Sequence, residues 1–472
     1  MPTPTIARGV CTTYCGQSPV TRSKTVLLLA VALVGSQAGG ARASWSPPSA
    51  LSAPSHLATY PEVGLDSRGD AVAVWMDATP TVNDRIMASA RLGSTGAWRR
   101  PVALSPAADF GTFPELAVDA SGATVAVWQQ SGTSQGNTNL PFIEASFKRS
   151  PTSPWSRPVR ISKRGVDSEG PEVAINSDGQ AVAIWFTAAR TSSAEVSTIN
   201  IAHGVWSKPV VLQQTRKVIL WPEITINQGG EAFAVWKRYI RHTGGRRIGQ
   251  GDTQWEVGAA VKPAHRSSWL VRGDVGREEE FNLQGDHAQQ QPGPQLAADA
   301  TGGAIAVWQA GTSSHILTDF AVWKAKLRAW SKPATISQVS ALWPQVAASP
   351  TGATTVVWEG NNFAIQSASG PISSCCWSAP RTLGSATPPQ FAPYLSVVID
   401  GSGDALASWT AGHPEIALRI GSTGSWQQAI GLTTSNGGDA DAAMTSLGQA
   451  VAVWQQPNSQ GSAIEEAATA PN

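Results

Sequence analysis

Residues 299–308 read Asp-Ala-Thr-Gly-Gly-Ala-Ile-Ala-Val-Trp, and the last six, GAIAVW at 303–308, have seven counterparts. These are DAVAVW at 70–75, ATVAVW at 123–128, QAVAIW at 180–185, EAFAVW at 231–236, ATTVVW at 353–358, DALASW at 404–409 and QAVAVW at 449–454. Each copy has a glycine six residues before its Trp (Gly69, Gly122, Gly179, Gly230, Gly302, Gly352, Gly403, Gly448), and six copies place Asp or Asn three residues before that glycine. An Asp or Asn side chain caps its own turn and glycine accepts positive φ, so D-x-x-G between alternating apolar runs predicts a tight hairpin. In the A-x-A-x-W strand the small Ala and the large Trp share one face while Val, Ile or Leu mostly fill the other. That division suits sheets that interdigitate with their neighbours.

A second signature, W-x-x-P, falls between the hairpins at 45–48, 98–101, 155–158, 206–209, 330–333 and 377–380, while Trp269 and Trp426 keep the Trp without the Pro. Each unit therefore reads as four strands, and the motif Trps recur every 45 to 72 residues, near the period of a propeller blade with loop insertions. The expected fold is all-β: one eight-bladed β-propeller over residues 44–472, with blades starting near 61, 114, 171, 222, 294, 344, 393 and 440. The last unit stops after its third strand, so residues 45–51 are expected to complete it as the fourth, which removes two exposed sheet edges. Sixteen Trps are then packing residues first.

With this repeat the chain resembles secreted bacterial β-propellers of the broad sialidase-like, Asp-box or BNR-repeat kind. An Asp-box reads S-x-D-x-G-x-x-W, whereas the pattern here is D-x-x-G-x-A-x-A-V-W. The resemblance implies the architecture over the whole mature chain, and it does not imply sialidase chemistry. A sialidase-like site wants three arginines from different blades and a Tyr–Glu pair. The mature chain has only Tyr60, Tyr239 and Tyr394, and Tyr60 beside Glu62 is the single such pair.

Composition agrees with an all-β array: 14% of the 472 residues are charged, with 45 Gly, 32 Pro and 20 Trp. Arg8, Arg22 and Lys24 precede an apolar run over 26–34, and Ala41-Arg42-Ala43 precedes Ser44. This is the layout of a signal peptide over residues 1–43, which predicts a secreted, extracellular protein with no membrane span after cleavage. Its removal takes the net charge from +1 to −3, and so nearly neutral a surface gives no reason to expect nucleic acid. It also removes Cys11 and Cys15, leaving the adjacent Cys375 and Cys376, which cannot build a disulfide framework. Two separate thiols are expected there rather than a strained vicinal disulfide.

Candidate function sits where the first strand of each unit begins. There the chain reads Tyr60-Pro61-Glu62, Phe113-Pro114-Glu115, Gly170-Pro171-Glu172, Trp221-Pro222-Glu223, Gly293-Pro294-Gln295 and Trp343-Pro344-Gln345. First strands line a propeller channel, so Glu62, Glu115, Glu172 and Glu223 with Tyr60, Phe113, Trp221 and Trp343 are expected at its mouth. Carboxylates beside aromatic rings suit stacking on sugars while hydrogen-bonding hydroxyls, or holding a cation. The competing reading is structural: each Glu accepts hydrogen bonds from the next blade and each ring covers the core.

Other motifs point nowhere. Arg68-Gly69-Asp70 spells an adhesion tripeptide but coincides with the shared hairpin turn. The turns offer one carboxylate each, unlike a calcium loop, and no H-E-x-x-H, Walker or G-x-S-x-G motif occurs. The basic stretch 237–251 and the run Arg277-Glu278-Glu279-Glu280 read as solvated loops of the fourth unit. The expected function is a monomeric, non-enzymatic binding module for a glycan or extracellular protein, without metal or cofactor. The alternative is a sialidase-like or other glycan-acting hydrolase using the channel-mouth carboxylates.

Overall fold

The structure, a computed structural model, describes residues 45–469 apart from 54–55, 80–81, 94–95, 107–109, 133–139, 244–251, 281–292, 313–314, 338, 375, 387–393, 446–447 and 460. The expected signal peptide at 1–43, Cys375, Arg246 and Arg247 lie outside the described residues. Among those described, no helix is long and apolar enough to cross a membrane.

The chain is all-β and forms antiparallel four-stranded sheets in sequence order. Sheet I holds Leu57–Leu65, Ala71–Thr79, Val82–Arg91 and Val102–Ala103, and sheet II holds Phe110–Val118, Thr124–Ser131, Phe142–Lys148 and Val159–Arg160. Sheet III is Ser168–Ile175, Gln180–Thr187, Ser192–Asn200 and Val210–Thr215, and sheet IV is Ile219–Ile226, Ala232–Thr243, Asp252–Lys262 and Leu270–Glu280. Sheet V runs from Gln295–Ala298 through Ala304–Thr312 and His315–Lys324 to Ala329–Trp330, with Ala334–Thr335 also paired to its third strand. Sheet VI is Leu342–Ala348, Ala353–Glu359, Ala364–Pro371 and Arg381–Ser385, and sheet VII is Ser396–Ile399, Ala405–Thr410, Pro414–Arg419 and Ile430–Gly431. Sheet VIII has Gly438–Met444, Ala450–Asn458 and Gly461–Ala468, and Ser49–Ala50 pairs antiparallel with its third strand, Ser49 opposite Glu466. A parallel bridge from Leu57 to Ser462 joins sheets VIII and I.

The repeated turns carry the local logic. Asp299 Oδ1 accepts from the amides of Thr301 and Gly303 at 2.8 Å, and Asp66, Asp119 and Asp400 do the same in their sheets. Asn176 plays this part in sheet III, while the hydroxyls of Ser349 and Thr445 substitute in VI and VIII. All eight turn glycines have φ between 68° and 93°, a region that a Cβ makes costly. Arg68 folds back onto Asp66 at 2.6 Å, so the adhesion-like tripeptide belongs to this turn.

Between sheets, each motif Trp packs on the branched face of the preceding sheet. Trp128 meets Val74 and Ile86, Trp185 meets Val125 and Val127, and Trp236 meets Val182 and Ile184. Trp308 sits on Phe233 and Val235, Trp358 on Ile305 and Val307, Trp409 on Val357, and Trp454 on Leu406. Trp75 then packs on Val451 and Val453 of sheet VIII. The eight Trps are at most 1% exposed, because the Ala residues beside them leave room for the neighbour's branched side chains. First strands follow the same cycle: each touches the first strand of the next sheet, and that of sheet VIII touches that of sheet I.

The basic stretch of the fourth unit departs from the loop expectation. Residues 237–243 continue the strand Ala232–Thr243, paired to Asp252–Lys262, which in turn pairs with Leu270–Glu280. Lys237 is 1% exposed with its Nζ 5.0 Å over Trp255, and Arg238 binds Glu256 and, at 3.1 Å, Asp274. A ring beneath Lys237 and carboxylates beside Arg238 give both cations partners on the neighbouring strands, so the strand outgrows the usual hairpin length.

Candidate functional site

The first strands share one irregularity. In sheet I the pairing jumps from Thr59–Met76 to Glu62–Val74, so Tyr60 and Pro61 together oppose Trp75. The same bulge recurs at Glu115, Glu172, Glu223, Gln345 and Asp441. The residue two before each is left-handed: Tyr60, Phe113, Trp221, Trp343 and Asp439 have φ between 42° and 55°, and Gly170 has 55°. Bulky residues at positive φ are strained, and such strain persists where the surroundings hold it. A bulge re-aims the side chain that follows it, and at these positions the carboxyls of Glu62, Glu115, Glu172, Glu223 and Asp441 influence one another across sheets.

These residues form a carboxyl cluster. Burial pushes Glu62, Glu115 and Glu223 well above the usual carboxylate range, and Glu172 up to about 8. After burial, each charged group acting on Glu62, Glu115 and Glu223 is another carboxyl. Glu62 feels Asp441, Glu172 and Asp439, Glu115 feels Glu172, Glu62, Glu223 and Asp441, and Glu223 feels Glu172. The neighbouring carboxyl of Glu115 partly offsets the rise at Glu172, and that of Glu62 does so at Asp441. The four Glu side chains keep part of their surface accessible. Among the described residues no set of three or more His, Cys, Asp or Glu stands in metal-binding geometry.

Asp441 and Asp439 complete the cluster and were not singled out from X-Pro-Glu. Asp441 is pushed up to about 6 by burial, against hydrogen bonds from the Val63 and Ala442 amides. Asp439 is also raised by burial, although the Tyr394 side chain and the Tyr60 amide bond to it. The signal that finds them is register: Glu62, Glu115, Glu172, Glu223, Gln295, Gln345, Ser396 and Asp441 each lie thirteen residues before the motif Trp of their own sheet. Sheets VII and VIII lack the proline, so the tripeptide signature hides them.

The aromatic residues divide. Tyr60 and Phe113 are 40% and 46% exposed, with ring centroids 5.2 Å apart. Trp221 is 38% exposed and meets Phe186 edge-on at 6.4 Å. Trp343 is buried at 6%, contrary to a place on the exposed mouth, and its amide donates to Gln309 Oε1 at 2.8 Å. Gly170 and Gly293 interrupt the aromatic series for a steric reason. A Cβ on Gly170 would stand 2.7 Å from the Phe186 ring, and one on Gly293 would stand 2.5 Å from Trp221. Phe186 thus supplies the ring that sheet III lacks at position 170.

No family model matches the chain, and no curated protein matches it. Among solved structures it is similar to an ulvan lyase of a polysaccharide lyase family, at 12% identity over 78% of this chain and 94% of that one, with a TM-score of 0.48. It is also similar to the Hadza microbial sialidase Hz136, at 10% identity over 84% and 76% with a TM-score of 0.42. A protein of unknown function from Dyadobacter fermentans matches at 11% identity over 66% and 97%, with a TM-score of 0.40.

Proposed function

We propose that the chain is a secreted, closed eight-bladed β-propeller, leader 1–43 removed and residues 45–51 completing the last blade, that binds a glycan at its channel mouth without turning it over. The cyclic contacts of the first strands and the Trp75 packing on sheet VIII support closure. The observation that carries the binding reading is the carboxyl cluster of Glu62, Glu115, Glu172, Glu223 and Asp441 beside the exposed Tyr60–Phe113 pair. Carboxyls held partly protonated both donate and accept, as sugar hydroxyls do, and aromatic faces stack on the apolar side of a pyranose. Among the described residues the charged groups acting on Glu62, Glu115 and Glu223 are carboxyls, so an uncharged or cationic sugar is favoured over an acidic one.

One observation favours a hydrolase as the second reading: Glu172 at about 8 and Asp441 at about 6 could serve as proton donor and base. A glycan array probed with residues 44–472, followed by a reducing-end assay on the same sugars, separates the two. Binding without turnover, weakened by Glu62→Gln, is expected. Turnover abolished by Glu172→Gln would replace the binding reading with the hydrolase. Neither binding nor turnover would leave the ring structural.

A further inference from the structure

A cavity of about 590 Å³ opens between sheets VI and VII, lined by Thr351, Ser367, Ser369, Arg381, Arg419 and Trp426 among others. It adjoins the turn glycine Gly352, at the opposite end of the strands from the carboxyl bulges. Arg419 is 2% exposed, stacks 5.3 Å over Trp426, and donates to Ser369 Oγ and, at 3.1 Å, to the Gly403 carbonyl. Its Nε is buried without a partner. The carboxylate acting on it is Asp404, whose Oδ1 accepts from the Gly421 amide at 2.6 Å. A guanidinium does not shed its charge in a protein, so a buried one calls for an anion.

The same register elsewhere in the molecule supplies that anion. Arg91 pairs with Ala71, four residues before Trp75, as Arg419 pairs with Ala405, four before Trp409. Arg91 is likewise buried, stacked 5.5 Å over Trp98, and lies 3.7 Å from Glu466 of the preceding sheet. Glu466 stands opposite Val453, next to Trp454, and Ser49 across the strand donates to it at 2.6 Å. In sheet VI the position opposite Val357, next to Trp358, is Ser367, and its cross-strand partner is Arg381. An Arg–Glu–Ser set at one sheet junction is therefore an Arg–Ser–Arg set at another. The carboxylate is gone, a second guanidinium has arrived, and a cavity stands where the longer side chain would reach.

We propose that this cavity binds a tetrahedral oxyanion of the sulfate or phosphate class, held between Arg419 and Arg381 with hydroxyls of Ser367 and Ser369 as further donors. Two guanidinium groups with hydroxyls beside them suit a tetrahedral oxyanion, either the free ion or a sulfate or phosphate ester on a sugar. The test is calorimetric titration of the purified chain with sodium sulfate and with sodium phosphate, against sodium chloride at matched ionic strength. One saturable site is expected, weakened at least tenfold by Arg381→Ser and by Ser367→Glu. The second variant installs the carboxylate that sheet VIII already uses, so it keeps the fold testable without removing a buried charge. Galactose 6-sulfate binding at least tenfold tighter than inorganic sulfate assigns the site to an ester, and equal or weaker binding assigns it to the free ion. No saturable heat in the wild type, or undiminished binding in Ser367→Glu, overturns the proposal.

Discussion

The Val63 amide of sheet I donates a 3.0 Å hydrogen bond to Asp441 Oδ2 of sheet VIII, joining residues 378 positions apart. One carboxyl thereby belongs both to the seam between the terminal sheets and to the acidic cluster. Asp441→Ala leaves that amide without its acceptor and should lower stability by about 1–3 kcal/mol, measured by urea unfolding. Asp441→Asn keeps an acceptor and should lose less.

The terminal strand makes a second prediction. Ser49 and Ala50 pair with Glu466 and Glu465, and Leu51 donates to the Ile464 carbonyl at 2.7 Å. Deleting residues 44–52 uncovers the edge of Gly461–Ala468, and a bare edge recruits another chain. Size-exclusion chromatography should show the deletion variant self-associating at concentrations where residues 44–472 elute as one species. An unchanged elution profile would remove the role given to this strand.

Stability should fall as pH rises through the neutral range. Glu172 is raised from 4.5 to about 8 and Asp441 from 3.8 to about 6. Between the unfolded and folded values the native state holds more protons than the unfolded one, so raising the pH favours unfolding. Their stabilising contribution is complete below about pH 4 and lost as pH passes the folded values. Melting temperature should therefore drop from pH 5 to pH 9, and Glu172→Gln should flatten that slope. A wild-type profile that rises over this interval contradicts the cluster.

Exposed and buried rings should behave oppositely. Tyr60→Ala and Phe113→Ala remove surface rings and should weaken glycan binding with little change in melting temperature. Trp343→Ala empties a buried site and should cost about 3–5 kcal/mol of stability. Thermal melts beside binding curves on the same three variants check this contrast.

Much of the repeat was legible because its causes are local. Asp299, Gly302 and Trp308 lie within ten residues, and a turn cap, a positive φ and an alternating strand are all dictated at that range. The strand over 237–243 was not legible because the partners of Lys237 and Arg238 are Trp255, Glu256 and Asp274, which only strand pairing brings near. Trp343 and Trp221 share the Trp-Pro pair, yet Trp343 is buried while Trp221 is exposed, since exposure depends on what the adjacent sheet presents.

By itself, then, the sequence determined the hairpins, the small-and-large faces of the second strands and the count of eight repeats. These follow from propensity and periodicity over a few residues. Only the tertiary structure decided that Glu62, Glu115, Glu172, Glu223 and Asp441 share one acidic environment, and that Ser367 lines the cavity of Arg419 where Arg91 has Glu466 beside it. Charge interaction falls off with distance in space, and chain separation does not measure that distance.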